Sequence, residues 1–304
     1  MIVRPALWVM IVFVAIAVAP DAAYVKEVEA WRAKHETDYR RDWVSIEGLF
    51  FLKPGENRAG SNRETDIVLS PKLPASLGSF FLENGRVRFV PHSGVSVSRR
   101  AEHAEDSERV TAAVDLNPDG GKQPADELIV QDVRMVIHRS GDRLALRVRD
   151  EHGEMAESFV GFRWFPINEE YRVTGRFIKD RMPREIKIPN LLGDLDTYTT
   201  EGVVEFRLKG ETIRIRPMTT RPKRFYFIFR DASSGHETYA AARFLYSDLR
   251  DDGTTVLDFN EAYNPPCAFN PYTTCPIPPK ENRLKVRVLA GEQAYPHEPV
   301  KRSQ

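Results

Sequence analysis

Residues 133–149 read VRMVIHRSGDRLALRVR. Val133–Arg139 and Leu144–Arg149 alternate apolar and polar residues with a period of two, and Ser140-Gly141-Asp142 between them carries turn chemistry. This is the signature of a hairpin with one face turned to a core. The same reading extends in both directions. Toward the N-terminus lie the β-rich runs Val44–Leu52, Phe80–Leu82 and Arg86–Val90, the last two joined by Glu83-Asn84-Gly85-Arg86. Toward the C-terminus lie Tyr171–Ile178, Val203–Leu208, Thr212–Arg216, Phe225–Phe229, Thr254–Phe259 and Leu284–Leu289, with turns at Lys209-Gly210-Glu211 and Asp251-Asp252-Gly253. Only Tyr24 to Arg41 reads as helix, with Val25, Val28, Trp31 and His35 at three- to four-residue steps and no Gly or Pro. The expected fold is all-β and mainly antiparallel. It has an N-terminal helix, a β-sandwich part and a second antiparallel part forming a barrel or half-barrel.

The ends and the composition set further expectations. Ala6–Ala19 is an uninterrupted apolar run after Arg4, followed by Ala22 and Ala23. It is shorter than the roughly 20 residues a straight transmembrane helix needs, and fits a secretory signal better than an anchor. The expected organisation is a signal peptide at 1–23, the helix and sandwich at 24–155, and the barrel-like part at 156–304. The product would be exported to a periplasm or secreted, with a retained N-terminal anchor as the alternative, and without a membrane span in the mature chain. The 44 basic and 44 acidic residues balance, so no overall field favours nucleic acid or acidic membrane. Charge is nevertheless segregated. Glu102–Asp132 holds nine acids against Arg109 and Lys122, and Arg207–Arg230 holds eight bases against Glu211. Two solvated faces, turned toward each other between the parts, are expected, with an anion-binding surface on the basic segment as the alternative. Ala101–Asp126 reads as a long exposed loop.

Chemistry concentrates in Asp258–Tyr295, DFNEAYNPPCAFNPYTTCPIPPKENRLKVRVLAGEQAY. Its prolines exclude an ordinary helix or central strand, and a long irregular segment in a compact protein is usually functional or covalently stapled. Cys267 and Cys275 are the only cysteines. In an exported chain an even, minimal count points to a disulfide; a metal site and a nucleophilic thiol are the alternatives, although the spacing is not that of a zinc motif. Asp258, Asn260, Tyr263 and Asn264 follow a strand, where such residues commonly stabilise turns. The functional alternative is a polar cup completed by Glu281 and Asn282, with Asp258 and Glu281 as general acid and base. Arg149 and Arg243 are candidate anion-binding forks, the alternative for Arg149 being an ion pair with Asp150. The aromatic middle, Phe162 to Phe229, is expected to be core or the wall of an apolar ligand pocket. No nucleophile elbow, phosphate loop, zincin or dinucleotide motif is present, and no cofactor is implied.

Several phrases together resemble one family. They are Gly48–Asn57, Asp66-Ile67-Val68-Leu69, Arg147–Asp150, Trp164-Phe165-Pro166, Tyr239–Leu245, Asp258-Phe259-Asn260, and Asn264–Phe269 with Cys275-Pro276. The chain is identified by them as a member of the DUF1684 family of bacterial and archaeal proteins, whose function is unknown. The resemblance therefore implies a shared final segment and supplies no activity. Gly55–Leu69 with Asn84-Gly85 also resembles the opening strands of a forkhead-associated sandwich. Arg58 and Arg63 stand near the phosphothreonine-reading position, but the Gly-Arg pair and the Ser-x-x-His are missing, so phosphopeptide binding is not expected. The leading expectation is a binding protein for a small anionic or amphipathic ligand. The alternatives are a hydrolase using carboxylates of the final segment and a structural or interaction module.

Overall fold

The computed structural model describes residues 20–296. Most of the expected signal peptide therefore lies outside the described residues. Among the described residues no helix is long and apolar enough to cross a membrane. Helix α1 runs Ala22–Tyr39, capped by the Asp21 side chain, and continues into a wider π turn at Arg40–Val44. The first strands are β1 Ile46–Phe51, β2 Gly55–Gly60, β3 Ile67–Val68, β4 Gly78–Glu83, β5 Arg86–Pro91 and β6 Ser98–Ala101. Next come β7 Glu108–Arg109, β8 Val114–Leu116, β9 Asp126–Val130, β10 Val133–Ser140 and β11 Arg143–Asp150. After the short helix α2, Glu154–Ser158, follow β12 Arg172–Pro189, β13 Leu195–Leu208 and β14 Glu211–Ile215. The last strands are β15 Met218–Arg221, β16 Arg224–Phe229, β17 Arg243–Asp248 and β18 Thr254–Asp258.

The first eleven strands form two sheets, ordered β1-β11-β10-β9-β6-β7 and β3-β2-β4-β5-β8. Alternation along each strand turns one set of side chains into a common core that includes Leu77, Phe80, Phe89, Leu128, Met135, Ile137 and Leu146. The result is a sandwich, held in register by tight turns. Ser140 pairs with Arg143 across Gly141, whose φ of 56° suits glycine. Asn84-Gly85 and Lys209-Gly210 each place two residues at positive φ, as the tightest hairpins require.

The later strands form two open sheets, β14-β13-β12-β18 and β15-β16-β17, and no closed barrel. Phe225, Phe227 and Phe229 of β16 point into the core shared with Val204, Phe206 and Leu257. The intervening Tyr226 and Ile228 point the other way, into a second core with Tyr39, Phe244 and Phe269. Beyond Arg224, strand β16 is aromatic or aliphatic at every position because it is buried on both faces. Helix α1 packs on this second region, although it precedes the sandwich in sequence: Trp31 meets Trp164 edge-on and the Tyr24 hydroxyl donates to Asp258.

Three expectations change in detail. The hairpin β12–β13 extends well past the expected runs, through residues with little hydrophobic content, and Pro183 is accommodated where the register slips between Lys179 and Arg184. Leu284–Leu289 is not a strand. Its Leu284, Val286 and Val288 do face the core, but the Val288 amide donates to the Asp231 carboxylate instead of a ladder carbonyl. The segregated charges also do not face each other. Among the described residues the acidic stretch pairs within the first half (Glu102–Arg149, Asp115–Arg88, Glu127–Arg134). The basic stretch pairs within the second (Arg214–Glu205, Arg216–Asp180, Arg224–Asp248).

Candidate functional site

The β10–β11 hairpin has a second face. Opposite its core side chains stand Arg134, Val136 and His138 of β10, and Ala145, Arg147 and Arg149 of β11, in cross-strand register. All six are buried. What covers them is the end of the π turn and the Cys/Pro segment. A helix end leaves carbonyls without intrahelical partners, and here cations and amides meet them. Arg134 donates to the Arg41 carbonyl at 2.8 Å, Arg149 to that of Asp42 at 3.0 Å, and the Asn270 amide to that of Trp43 at 3.1 Å. Cations at this end also complement the helix dipole.

Between these elements lies a cavity of about 540 Å³. Its wall is aromatic. The helix end supplies Tyr39 and Trp43, β13 supplies Tyr198, the cavity-facing phase of β16 and β17 supplies Tyr226, Phe244 and Tyr246, and the final segment supplies Tyr263. Tyr226 and Tyr246 are cross-strand partners whose rings stack at 4.8 Å. Burial pushes the phenols of Tyr39, Tyr226 and Tyr263 well above their usual range, so they are neutral at physiological pH.

One end of the cavity is polar, with Asp119, His138, Arg147, Thr274 and Cys275. Asp119 is folded back onto β10. Its amide donates to the Ile137 carbonyl at 2.8 Å, its Oδ1 accepts from the Arg139 amide at 2.9 Å, and Gly120 beyond it takes a φ of 69°. Oδ2 of Asp119 meets His138 Nδ1 at 2.7 Å and Arg147 Nη1 at 3.0 Å. His138 Nε2 meets the Thr274 hydroxyl at 2.8 Å. Burial, reinforced by the Arg147 guanidinium, holds the imidazole below its ordinary pKa despite Asp119. Burial opposes ionisation of Asp119, but His138 and Arg147 outweigh it and hold the carboxyl below its usual range. The resting cluster is therefore carboxylate, neutral imidazole and guanidinium. Burial lowers Arg147 to about 10, which leaves it charged at neutral pH. Its guanidinium lies over the Trp43 ring at 5.5 Å, and its buried Nε has no hydrogen-bond partner.

The two cysteines are adjacent, buried and in the thiol form. The Cys267 amide points at Cys275 Sγ from 3.2 Å. Burial raises the Cys267 thiol. For Cys275 burial acts the same way, but hydrogen bonds from Cys267 and Thr273 prevail and the net direction is down. Among the described residues no cluster of three or more His, Cys, Asp or Glu could hold a metal ion.

Of the residues singled out in sequence, Tyr263, Cys275 and, from the aromatic middle, Tyr226 line the cavity. The others are placed elsewhere. Arg149 does not pair with Asp150, because adjacent strand residues point to opposite faces. Arg149 lies 3.4 Å from Glu102, and Asp150 takes Lys72 at 2.9 Å. Arg243 is fully buried against Asp231 at 2.9 Å and the Val288 carbonyl. Asn260 ties Asp258, Tyr24 and Asn168 together, Asn264 holds Glu292, and Asn282 bridges the Arg216 and Ile228 carbonyls. Asp258 and Glu281 are not brought together. Asp258 sits on β18, one edge of the four-stranded sheet, while Glu281 reaches Arg216 just beyond β14, the opposite edge. Three strand spacings, about 14 Å, separate those edges. Arg58, near the phosphate-reading position of the sandwich resemblance, is engaged by Asp66 at 3.1 Å.

His138, Arg147, Asp119, Thr274 and Trp43 were not anticipated. The polar phase of a half-apolar strand ordinarily reads as solvent-facing, and that hid His138 and Arg147. One signal was available, since Arg147 shares the strand phase of Arg149.

Comparison with known proteins adds little about activity. Among curated proteins none matches. An uncharacterised protein of Haloarcula marismortui, solved by solution NMR, is 28% identical over 46% of this chain and 80% of its own, with a TM-score of 0.39. EmbR of Mycobacterium tuberculosis, solved in complex with a low-affinity phosphopeptide, is 16% identical over 44% of this chain and 33% of its own, with a TM-score of 0.21. A family model described as "Protein of unknown function (DUF1684)" matches residues 157–293. The earlier phrases of the resemblance, Gly48–Asn57 through Arg147–Asp150, fall outside that match. The chain thus matches the DUF1684 family through residues 157–293, which take in the Cys/Pro segment as far as Gln293.

Proposed function

We propose that this protein binds a small amphipathic molecule in the cavity between the β10–β11 hairpin, the end of α1 and the Cys/Pro segment. The carrying observation is the cavity itself. About 540 Å³ is within the range of small-molecule sites, which are characteristically apolar with a few convergent polar groups. The seven aromatic side chains of the wall would take a ring or a short acyl body. Arg147, charged and lining the cavity, would meet an acceptor oxygen on the head group.

The test is a thermal-shift and tryptophan-fluorescence titration with 4-phenylbutyrate and with decanoate. A saturable rise in Tm is expected, lost in Arg147→Met and kept in Arg86→Met, an exposed arginine on β5 remote from the cavity. Absence of binding to the wild-type protein, or binding that survives Arg147→Met unchanged, overturns the reading.

We also read the chain as exported, on the strength of Ala6–Ala19. In an oxidising compartment the neighbouring thiols Cys267 and Cys275 would close to a disulfide, fixing the segment that lines the cavity. The mass of protein recovered from the export compartment decides this. Loss of two hydrogens is expected, and two alkylatable thiols would refute it.

A further inference from the structure

At its polar end the cavity holds more than a binding group. Thr274 Oγ1, His138 Nε2, His138 Nδ1 and Asp119 Oδ2 form one continuous chain, with links of 2.8 Å and 2.7 Å. Its members come from three separate places: the Cys/Pro segment, strand β10 and the turn before β9. The chain has a direction. Asp119 is an acceptor already pinned by the Arg139 amide and Arg147, so His138 must direct Nδ1–H at it. That fixes the tautomer, and the Nε2 lone pair is left facing the Thr274 hydroxyl. A hydroxyl, a neutral imidazole and a partly buried carboxylate in this order define the nucleophile–base–anchor arrangement of acyl transfer, which is recognised by geometry and roles rather than by sequence order.

We propose that Thr274 is the nucleophile of an acyl-transfer reaction, with His138 as its general base and Asp119 as the positioning residue. The inference rests on the ligand-binding reading of the same cavity and names its substrate class, an ester of a small aromatic or short-chain acid. Thr274 Oγ1 attacks the carbonyl carbon and its proton passes to His138 Nε2. The resulting oxyanion faces a cavity whose cation is Arg147. The bond from carbon to the alkoxy oxygen then breaks, and the departing alcohol takes the proton from Nε2. Water enters, gives a proton to Nε2 and attacks the acyl-threonine. Thr274 leaves with that proton, so ester and water become acid and alcohol. No oxidant, metal or cofactor is consumed.

The alternative for the same contacts is a polar lock that holds the Cys/Pro segment to the sandwich. The two differ in what Thr274 does to an ester. The probe is p-nitrophenyl butyrate, read by p-nitrophenol release and by intact and peptide mass after acid quench. The expected result is a butyryl group on the peptide carrying Thr274. Turnover should fall at least 100-fold in Thr274→Ala and in His138→Ala, as general-base loss typically gives, and persist in Thr274→Ser. The pH–rate profile should rise through loss of the His138 proton, at or below the ordinary histidine range. The groups that face His138 there are Asp119, Arg147, Asp196 and Cys275. A lock would leave no adduct and no such profile. Turnover that survives in Thr274→Ala, or butyryl on Cys275 or on no residue, overturns the proposal. Thr274→Ala should still bind 4-phenylbutyrate, so a failed acyl reading is distinguishable from a failed binding reading; Thr274→Ser guards against misfolding of the alanine variant.

Discussion

Two Arg–Asp pairs with buried guanidiniums look alike in this molecule and differ in their surroundings. Arg243–Asp231 and Arg147–Asp119 lie at 2.9 Å and 3.0 Å, and in both the arginine Nε lacks a partner. Around Arg243 the protein is closed. The guanidinium also donates to the Val288 and Ala290 carbonyls, and Asp231 accepts from the Ser233 amide, the Ser233 hydroxyl and the Val288 amide. These bonds organise the strandless stretch Leu284–Val288. Around Arg147 the protein is open: the cation borders a cavity, lies on Trp43 and shares Asp119 with a titratable imidazole. Burial of a charge therefore says little by itself. What separates a fastener from a site is whether the remaining valences are spent on backbone or turned toward space.

Replacing each arginine breaks the comparison most directly. Arg243→Met leaves Asp231 uncompensated in the interior and removes two carbonyl contacts, so a loss of about 3–5 kcal/mol is expected. Arg147→Met leaves Asp119 its bonds to His138 and the Arg139 amide, so about 1–2 kcal/mol is expected, together with loss of ligand binding. Urea denaturation measures both. Equal losses would mean that Arg147 is also a fastener.

The next test concerns proton linkage, where Glu292 and His138 should act with opposite signs. Burial raises Glu292 from 4.5 to about 8 against the pull of its Asn264 donors. Its carboxyl is therefore protonated in the folded protein, and the associated stability, complete below pH 4.5, is lost as pH climbs to about 8. The ceiling is roughly 1.4 kcal/mol per pH unit in that window. Glu292→Gln should flatten this slope. His138 is lowered in the folded state. The stability tied to its neutral form is present above the ordinary histidine pKa and declines as pH falls from there toward the lowered value. Stability curves of Glu292→Gln and His138→Ala between pH 4.5 and 8 should therefore bend away from wild type in opposite directions; parallel curves would refute the assignment.

Much of the architecture was legible in sequence. The hairpin at 133–149, its Gly141 turn, the Asn84-Gly85 and Lys209-Gly210 turns and the helix all follow from periodicity and turn chemistry. The long arms of β12 and β13 did not, since their middle carries few apolar residues and is defined by pairing rather than by burial. The site was half legible. The Cys/Pro segment was marked by composition, and Tyr263 and Cys275 with it. His138 and Arg147 were not, because only tertiary covering by the π turn distinguishes a buried polar phase from a solvated one. Arg243, a candidate anion-binding fork in sequence, spends its guanidinium at the closed pair. Local sequence carries charge and phase, and it does not carry what lies opposite.

The smallest expected effect sharpens the same distinction at the two carboxylates once considered as a catalytic pair. Asp258 accepts from Tyr24 and Asn260 in the interior, so Asp258→Ala orphans those donors and should cost about 1–3 kcal/mol. Glu281 is half exposed and 3.7 Å from Arg216, which already holds Asp180 at 2.7 Å. A long contact from a half-exposed carboxylate to a guanidinium that already has a closer partner is worth little, so Glu281→Ala should change stability by less than about 0.5 kcal/mol. Because the two residues occupy opposite edges of one sheet and share no partner, the double variant should equal the sum of the single ones. A coupling above about 0.5 kcal/mol in that cycle, or a loss of ester turnover in Glu281→Ala alone, would reunite them and move the site away from the His138 end of the cavity.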